Sequence, residues 1–175
     1  MGIREGKSCI DAAYVLLAAI HLRLRQTAAK AYLLFVDFKR AFDSAPHELL
    51  WKKLYSLGMS TELILILKGL YEQAYVQTKQ GSQTTDKFSV TEGVLQGETL
   101  SPLLFLLFLA DIGTFFRSYG CDGINVNNLL DLLILLHADD TVLLACNVKD
   151  MIKLLKLLEK YCDMNDLAVN IKKTI

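Results

Sequence analysis

The chain has 175 residues, 53% of them hydrophobic, and its 19 basic side chains balance 19 acidic ones. This length and apolar content are enough for one domain with a sizeable core, and they exclude a wholly disordered chain. A net charge of zero excludes a generally basic surface, so any contact with nucleic acid must come from a local patch. The scattered cysteines contain no Cys-x-x-Cys pair, which disfavours a zinc site or a disulfide framework.

Neither a targeting signal nor a membrane span is predicted. The N-terminus carries Arg4, Glu5 and Lys7 before a broken apolar run, which is not typical of a signal peptide. The most apolar window, 100–110, is about half the ~20 residues that a membrane helix needs, and Asp111 closes it. We therefore expect an intracellular protein without membrane contact, with nucleus and cytoplasm both left open.

Hydrophobic periodicity and cap residues predict a mixed α+β chain. The predicted elements are a helix over 10–24, a strand over 31–38, helices over 46–57 and 60–73, a hairpin over 75–90, a helix over 103–116, a hairpin over 132–145, a helix over 150–162 and a strand over 167–175. The helix after Ser101-Pro102 is apolar almost all round, which predicts a central buried position. In the last helix, we expect the core stripe to contain Ile152, Leu155, Leu158, Tyr161 and Cys162.

Two adjacent carboxylates, Asp139 and Asp140, lie between two apolar runs. Asp is depleted in strands and is rarely buried without a partner or ligand. Because neighbouring side chains on a strand point to opposite faces, the two carboxylates are expected to have different roles. An ordinary acidic turn is the alternative. A second acidic site, Asp37, also ends an apolar run, and this favours a functional site that includes all three carboxylates.

Four short motifs occur in an order that resembles a reverse transcriptase. They are Asp37-x-x-x-Ala41-Phe42-Asp43, Gln96-Gly97-x-x-x-Ser101-Pro102, Ala138-Asp139-Asp140 and Asn170-x-x-Lys173-Thr174. The amino-acid sequences of 35–44 and 100–105 resemble those of the non-LTR, LINE-type retrotransposon polymerases in particular. Each motif alone is weakly specific, but four in the right order across nearly the whole chain identify the family.

The resemblance implies an α+β polymerase palm, an antiparallel sheet backed by helices, with part of the fingers and no thumb. The expected organisation is a single partial domain over 1–175. About 1–30 would be a fingers remnant, and about 31–175 the palm with inserted fingers helices and a hairpin. A free sheet edge and an abrupt C-terminus also predict exposed apolar surface and self-association.

The resemblance assigns Asp37 and Asp139 as Mg²⁺ ligands, with Asp140 beside them. Nucleotidyl transfer uses two ions about 3.5–4 Å apart, one at the primer 3′-hydroxyl and one at the leaving phosphates. Mg²⁺ takes hard oxygen ligands, and Mn²⁺ is an expected substitute. Lys173 would assist as a catalytic residue by neutralising or protonating the leaving pyrophosphate, although by itself it would be interpreted as solvated surface.

Five residues would bind substrate, namely Arg4, Phe38, Phe42, Gln96 and Gly97. Arg4 would reach the triphosphate, and Phe42 would screen the 2′ side of the sugar, with a core aromatic as the alternative. Gln96 and Gly97 would lie along the incoming nucleotide and template, with a plain turn as the alternative. His137 departs from the family, which usually has an aromatic residue there to support the primer end; metal binding is not affected.

The implied activity is RNA-directed DNA polymerisation, with an RNA template, a DNA primer and dNTP as partners. The chain would be a truncated copy that requires its missing thumb and endonuclease regions, or a partner chain, to grip the duplex. One alternative is a catalytically inactive palm remnant of a mobile element that only binds nucleic acid. A nucleotide cyclase with a related palm is another, but it leaves the segment 96–102 unexplained.

Overall fold

The computed structural model of the chain describes residues 8–27, 29–81, 83–90, 92–94, 100–126, 130–137 and 140–175. Its helices are α1 (Cys9–Leu24), α2 (His47–Ser56), α3 (Thr61–Glu72), α4 (Ser101–Phe108), α5 (Ile112–Ser118) and α6 (Val148–Asn165). Its strands are β1 (Tyr32–Val36), β2 (Tyr75–Val76), β3 (Lys79–Gln80), β4 (Gln83–Thr84), β5 (Phe88–Ser89), β6 (Ile124–Val126), β7 (Leu130–Leu132), β8 (Ile134–His137) and β9 (Asp140–Ala145). The prediction of a mixed α+β chain is confirmed.

A three-stranded antiparallel sheet in the order β1-β9-β8 forms the centre of the fold. Tyr32 pairs with Ala145 at one end of β1 and Val36 with Thr141 at the other. The predicted hairpin over 75–90 is confirmed as two nested antiparallel pairs, β2 with β5 and β3 with β4. A further two-stranded pair joins β6 and β7.

The C-terminal segment covers the second edge of β1. The Phe35 N–H donates to the Ile175 carbonyl oxygen (2.8 Å), and the Lys39 N–H donates to that of Ala168 (2.7 Å). Between these contacts the chain leaves β1 in a turn at 170–173. The predicted strand over 167–175 is therefore wrong as a continuous element: within it Val169 forms an isolated bridge with Phe38, and the segment covers one edge of β1.

Helices cover both faces of this sheet. Along β9, Val142 and Leu144 pack with Ala19 of α1, whereas Leu143 and Ala145 belong to the main core on the opposite face. This alternation is the two-residue period of a strand that is buried on both sides. The main core is built from α2, α4, α5 and α6 together with part of α3.

The segment 101–118 is apolar and long enough to cross a membrane by length and composition. In the structure this segment is two helices, α4 and α5. At the break between them, the Phe108 carbonyl oxygen accepts a hydrogen bond from Lys53 Nζ (2.8 Å). The Ile112 N–H donates to the Leu109 carbonyl oxygen (3.1 Å), which is the shorter spacing of a turn. The side chains that fill the core from it are Leu104, Phe105, Phe108, Leu109, Ile112 and Phe116. The predicted burial is confirmed, and the single continuous helix is wrong.

The helix α6 begins earlier than predicted. Asn147 rather than Asp150 is its N-cap, since the Asp150 N–H donates to Asn147 Oδ1 (2.9 Å). Its buried face is formed by Leu154, Leu157, Leu158, Tyr161, Cys162 and Asn165. Ile152 and Leu155 are instead 47% and 42% exposed, so their assignment to the core was wrong. The observed set follows the helical period of 3.6 more closely than the predicted one.

A partly buried polar network connects the helices, with Tyr161 buried and Asp111 exposed. Lys53 Nζ donates to Asp111 Oδ1 (2.7 Å) and to the Tyr161 hydroxyl (2.8 Å), and that hydroxyl donates to Asp111 (2.5 Å). Burial lowers the pKa of Lys53, against the opposing effect of Asp111. Burial also raises the pKa of Tyr161, and its hydrogen bond to Asp111 adds to this. The network links α2, the α4–α5 junction and α6.

Candidate active site

A cleft of about 400 Å³ opens at the end of the central sheet. One wall is formed by the N-terminal half of α1, through Cys9, Ala12, Ala13 and Leu16. The polar side chains that line it come from the sheet and the C-terminal segment; they are Asp37, His137, Asp140, Thr141 and Lys173. Three of the predicted site residues, Asp37, Asp140 and Lys173, therefore lie around one cavity.

The strand register explains why the two carboxylates meet. Val36 pairs with Thr141 in the last pair of β1 and β9, so Asp37 follows at the position next to Asp140. On the other side of β9, Asp140 pairs with His137 of β8. Residues opposite each other in an antiparallel pair share one face, with Cβ atoms about 4.5–5.5 Å apart. Asp37, Asp140 and His137 thus converge on one face of the sheet.

The C-terminal segment holds Asp37 from the side. Asn170 Nδ2 donates to Asp37 Oδ2 (2.8 Å), and the Asn170 N–H donates to the Asp37 carbonyl oxygen (2.7 Å). The Asp37 N–H in turn donates to Thr174 Oγ1 (3.3 Å). The Lys173 N–H closes the turn by donating to the Asn170 carbonyl oxygen (3.0 Å). The last motif thus lies directly against the first, with Lys173 at the cleft.

The two phenylalanines after Asp37 have different positions. Phe38 is only 4% exposed and packs edge-to-face with Phe105, with ring centroids 6.5 Å apart. Its side chain belongs to the core and not to the cleft, which corrects its assignment to substrate. Phe42 is half-buried, and its ring lies 5.3 Å from that of Phe105. Strand alternation explains the difference for Phe38, because its neighbour Asp37 takes the cleft face.

The segment 92–94 is clamped onto the turn that carries Phe42. The Val94 N–H donates to the Phe42 carbonyl oxygen (2.5 Å), and the Gly93 N–H donates to that of Ala45 (2.9 Å). His47 Nε2 donates to the Gly93 carbonyl oxygen (2.7 Å). Gly93 has φ +81°, and a Cβ there would lie 2.5 Å from Asp43 Cα. Only glycine permits this approach.

Sequence reasoning missed the roles of His47, Gly93 and Asn170. His47 lies in the first turn of the helix predicted over 46–57, and Gly93 lies between the hairpin predicted over 75–90 and the motif that begins at Gln96. Asn170 belonged to a recognised motif, but no role was assigned to it. The residue type was the available signal for Gly93, because glycine is the residue that tolerates positive φ and close backbone approach.

Four predicted site residues lie outside the described residues: Arg4, Gln96, Gly97 and Asp139. Within the described ranges, no group of three or more His, Cys, Asp or Glu side chains could hold a metal ion. Asp37 and Asp140 nevertheless supply two carboxylates on one sheet face, half-buried and exposed respectively. Such hard oxygen donors suit Mg²⁺, which keeps several waters and needs only one or two carboxylates from the protein.

The chain is similar in sequence to reverse transcriptases. A sequence model of the family described as reverse transcriptase (RNA-dependent DNA polymerase) matches residues 1–175. The chain is 26% identical over 133 residues to the Retrovirus-related Pol polyprotein from type-1 retrotransposable element R2 of Popillia japonica, covering 75% of this chain and 22% of that protein. It is 28% identical over 185 residues to the Probable RNA-directed DNA polymerase from transposon BS of Drosophila melanogaster, covering 99% and 19%. The chain spans about a fifth of the length of these relatives, which confirm the resemblance to non-LTR retrotransposon polymerases.

Solved structures share the fold. The apo telomerase of Candida tropicalis truncated from its C-terminal domain has a TM-score of 0.74 at 17% identity, covering 97% of this chain and 35% of that one. The telomerase of Candida albicans in complex with a TWJ fragment of telomeric RNA has a TM-score of 0.70, also at 17% identity, covering 97% and 31%. The predicted palm architecture, an antiparallel sheet backed by helices with part of the fingers, is thereby confirmed.

Proposed function

The chain belongs to the reverse transcriptase (RNA-dependent DNA polymerase) family, and from this premise we propose that it is a polymerase domain of a non-LTR retrotransposon. It would extend a DNA primer on an RNA template by nucleotidyl transfer from dNTP. Residues from about 31 onward would be the palm with inserted fingers elements, and about 1–30 part of the fingers. The observation that carries the proposal is the convergence of Asp37 and Asp140 across β1 and β9, with Lys173 on the same cleft.

Reverse transcriptases use divalent metal ions. Asp37 and Asp140, together with Asp139, would hold two Mg²⁺ ions, with Mn²⁺ as a substitute. When bound, these ions supply activation of the primer 3′-hydroxyl and neutralisation of the leaving phosphates. The chain contributes the carboxylates from two paired strands, whose separation is set by backbone hydrogen bonds rather than by flexible loops. This rigid placement is what positioning of a nucleophile requires.

Lys173, at the cleft, and Phe42, outside its lining, would act on the nucleotide. Lys173 would bring its ammonium group to the departing pyrophosphate, where it would offset negative charge and donate a proton to the leaving oxygen. Phe42 would limit space at the 2′ side of the sugar, since its half-buried ring is supported by Phe105. The clamp of Gly93 and His47 on the Phe42 turn would keep that ring in place.

An inactive remnant that only binds nucleic acid is the competing proposal, and it is not favoured. Two carboxylates and a lysine lie around one cleft, an arrangement that nucleotidyl transfer requires and nucleic-acid binding alone does not. Asp37 also keeps a hydrogen-bond partner on its carboxylate, Asn170.

Extension of a DNA primer on an RNA template with Mg²⁺ tests the proposed activity. The wild type is expected to extend the primer. Asp37→Asn and Asp140→Asn are expected to lose on the order of 100-fold or more in rate, because each would weaken binding of the Mg²⁺ ions that offset the negative charge developing on the phosphates. Asp86→Asn is the matched control, since Asp86 is exposed and far along the chain from the cleft residues. Asp139→Asn extends the test to the third carboxylate.

Two results would count against the proposal. Extension that persists in Asp37→Asn would show that the cleft is not the catalytic site. Binding of the RNA–DNA duplex without any extension by the wild type would favour the remnant.

A further inference from the structure

The carboxylate of Asp37 receives a hydrogen bond from a residue far away in the sequence. Asn170 Nδ2 lies 2.8 Å from Asp37 Oδ2, and the two residues are 133 positions apart. Both are partly buried, so water competes less for this contact than at the surface. Of the two carboxylate oxygens, it is Oδ2 that accepts this hydrogen bond.

The backbone of Asn170 holds the turn independently of its side chain. Its N–H donates to the Asp37 carbonyl oxygen (2.7 Å), and its own carbonyl oxygen accepts from the N–H groups of Lys173 (3.0 Å) and Thr174 (2.9 Å). These contacts survive any substitution that keeps the backbone conformation. The side chain of Asn170 therefore adds one separable interaction, the bond to the carboxylate.

That interaction limits the rotation of a terminal torsion. The χ2 torsion of an aspartate is broad and roughly two-fold, so a carboxylate without a partner samples many orientations. A donor on Oδ2 fixes the plane of the group, and it leaves Oδ1 for a cation on the cleft side. Carboxylates that bind metal ions are commonly held in this way by a neighbouring donor.

We propose that Asn170 is a positioning residue for Asp37, which orients the Asp37 carboxylate toward a divalent cation in the cleft through the Nδ2–Oδ2 hydrogen bond. The inference rests on the proposed function, because it takes Asp37 as a cation ligand. Asn170 itself is not among the residues that line the cleft. Loss of its amide leaves the turn and the fold in place but lets the carboxylate rotate away from its binding orientation.

Mn²⁺ binding to the whole chain tests the inference without requiring catalysis. Free Mn²⁺ is measured by its electron paramagnetic resonance signal during titration of the wild type, Asn170→Ala, Asp37→Asn and Asn147→Ala. Asn170→Ala is expected to weaken the site by about 10- to 100-fold, and Asp37→Asn to abolish it. Asn147→Ala removes two hydrogen bonds of an asparagine side chain, both to Asp150 at the N-cap of α6, and is expected to lower the melting temperature while leaving Mn²⁺ affinity unchanged.

The three variants separate the outcomes. Equal affinity of Asn170→Ala and the wild type, with binding lost in Asp37→Asn, would overturn the role of Asn170 and leave the proposed function standing. Equal weakening in Asn170→Ala and Asn147→Ala would also overturn it, because a general loss of stability would then explain both. Mn²⁺ binding that is unchanged in Asp37→Asn would overturn the metal site itself and the inference with it.

Discussion

At the scale of single residues, the site depends on close approaches that individual side chains permit or hold. Gly93 lets the segment 92–94 lie against the backbone at Asp43, and His47 holds that segment by its carbonyl oxygen. Phe42 is on the turn that receives these contacts. Its position is therefore set by a glycine and a histidine outside the four motifs.

Gly93→Ala is expected to destabilise the protein by about 2–4 kcal/mol, because a Cβ would overlap the backbone at Asp43 in addition to the strain of φ +81°. Gly58→Ala is the matched control. Gly58 has a similar φ of +87°, but no atom lies within 4 Å of the added Cβ, so only the ~1–2 kcal/mol of left-handed strain is expected. Urea unfolding of both variants measures the difference, and equal losses would show that the contact with Asp43 has no cost.

At the scale of elements, α6 joins the sheet to the other helices through a stripe that contains both buried ionisable groups and apolar side chains. Burial raises the pKa of Cys162 to about 11 from its ordinary value of 9.0. It also raises the pKa of Tyr161. Lys53, on α2, has a lowered pKa because of burial. These groups make the packing of α6 sensitive to alkaline pH.

The free energy of unfolding is expected to fall as pH rises above about 9, because the unfolded chain releases the Cys162 proton while the folded chain keeps it until about 11. Tyr161 acts in the same direction above 10, and Lys53 acts in the opposite direction as pH approaches 10.5. Cys162→Ala should therefore flatten the fall between pH 9 and 11. The measurement is urea unfolding at several pH values.

Cys9→Ala is the control for this experiment, since Cys9 is exposed. It is expected to leave the pH dependence unchanged. A wild-type stability that does not change from pH 8 to 11, or an equal effect of both cysteine variants, would contradict the assignment of the alkaline loss to α6.

At the scale of the whole molecule, the outer face of α3 carries large apolar side chains that no described part of the chain covers. They are Leu63, Leu65, Ile66 and Leu70, which are 46–61% exposed. Contiguous apolar surface of this kind commonly marks an interface or a tendency to aggregate. This exposed face is a second basis for the predicted self-association, beside the sheet edge, of which only the β1 side is covered by residues 168–175.

Self-association through α3 is expected at high protein concentration and should be weakened by the double substitution Ile66→Glu and Leu70→Lys. Light scattering coupled to gel filtration measures the mass. Glu72→Lys, at the end of the same helix, changes charge at an exposed site without removing apolar surface and should leave the mass unchanged. A wild type that stays monomeric at high concentration would contradict the prediction.

The sequence alone determined the family and the order of most elements, although not the β6–β7 pair or the break between α4 and α5, and it indicated Asp37 and Asp140 as candidate site residues. Motifs such as Asp37-x-x-x-Ala41-Phe42-Asp43 are local, and so are the apolar periods and caps that place α3 and β9, because each depends on residues a few positions apart. The predicted bounds of α1 and β1 accordingly differ from the observed ones by only one or two residues.

Only the tertiary structure decided which side chains meet. Lys53 of α2 is partly buried where its Nζ donates to the Phe108 carbonyl oxygen at the break between α4 and α5, a contact between residues 55 positions apart. The burial of Phe38 follows from the packing of Phe105 against it. The bond from Asn170 to Asp37 spans 133 positions. No local pattern encodes such contacts, because their energy depends on geometry that exists only after the sheet and helices have packed.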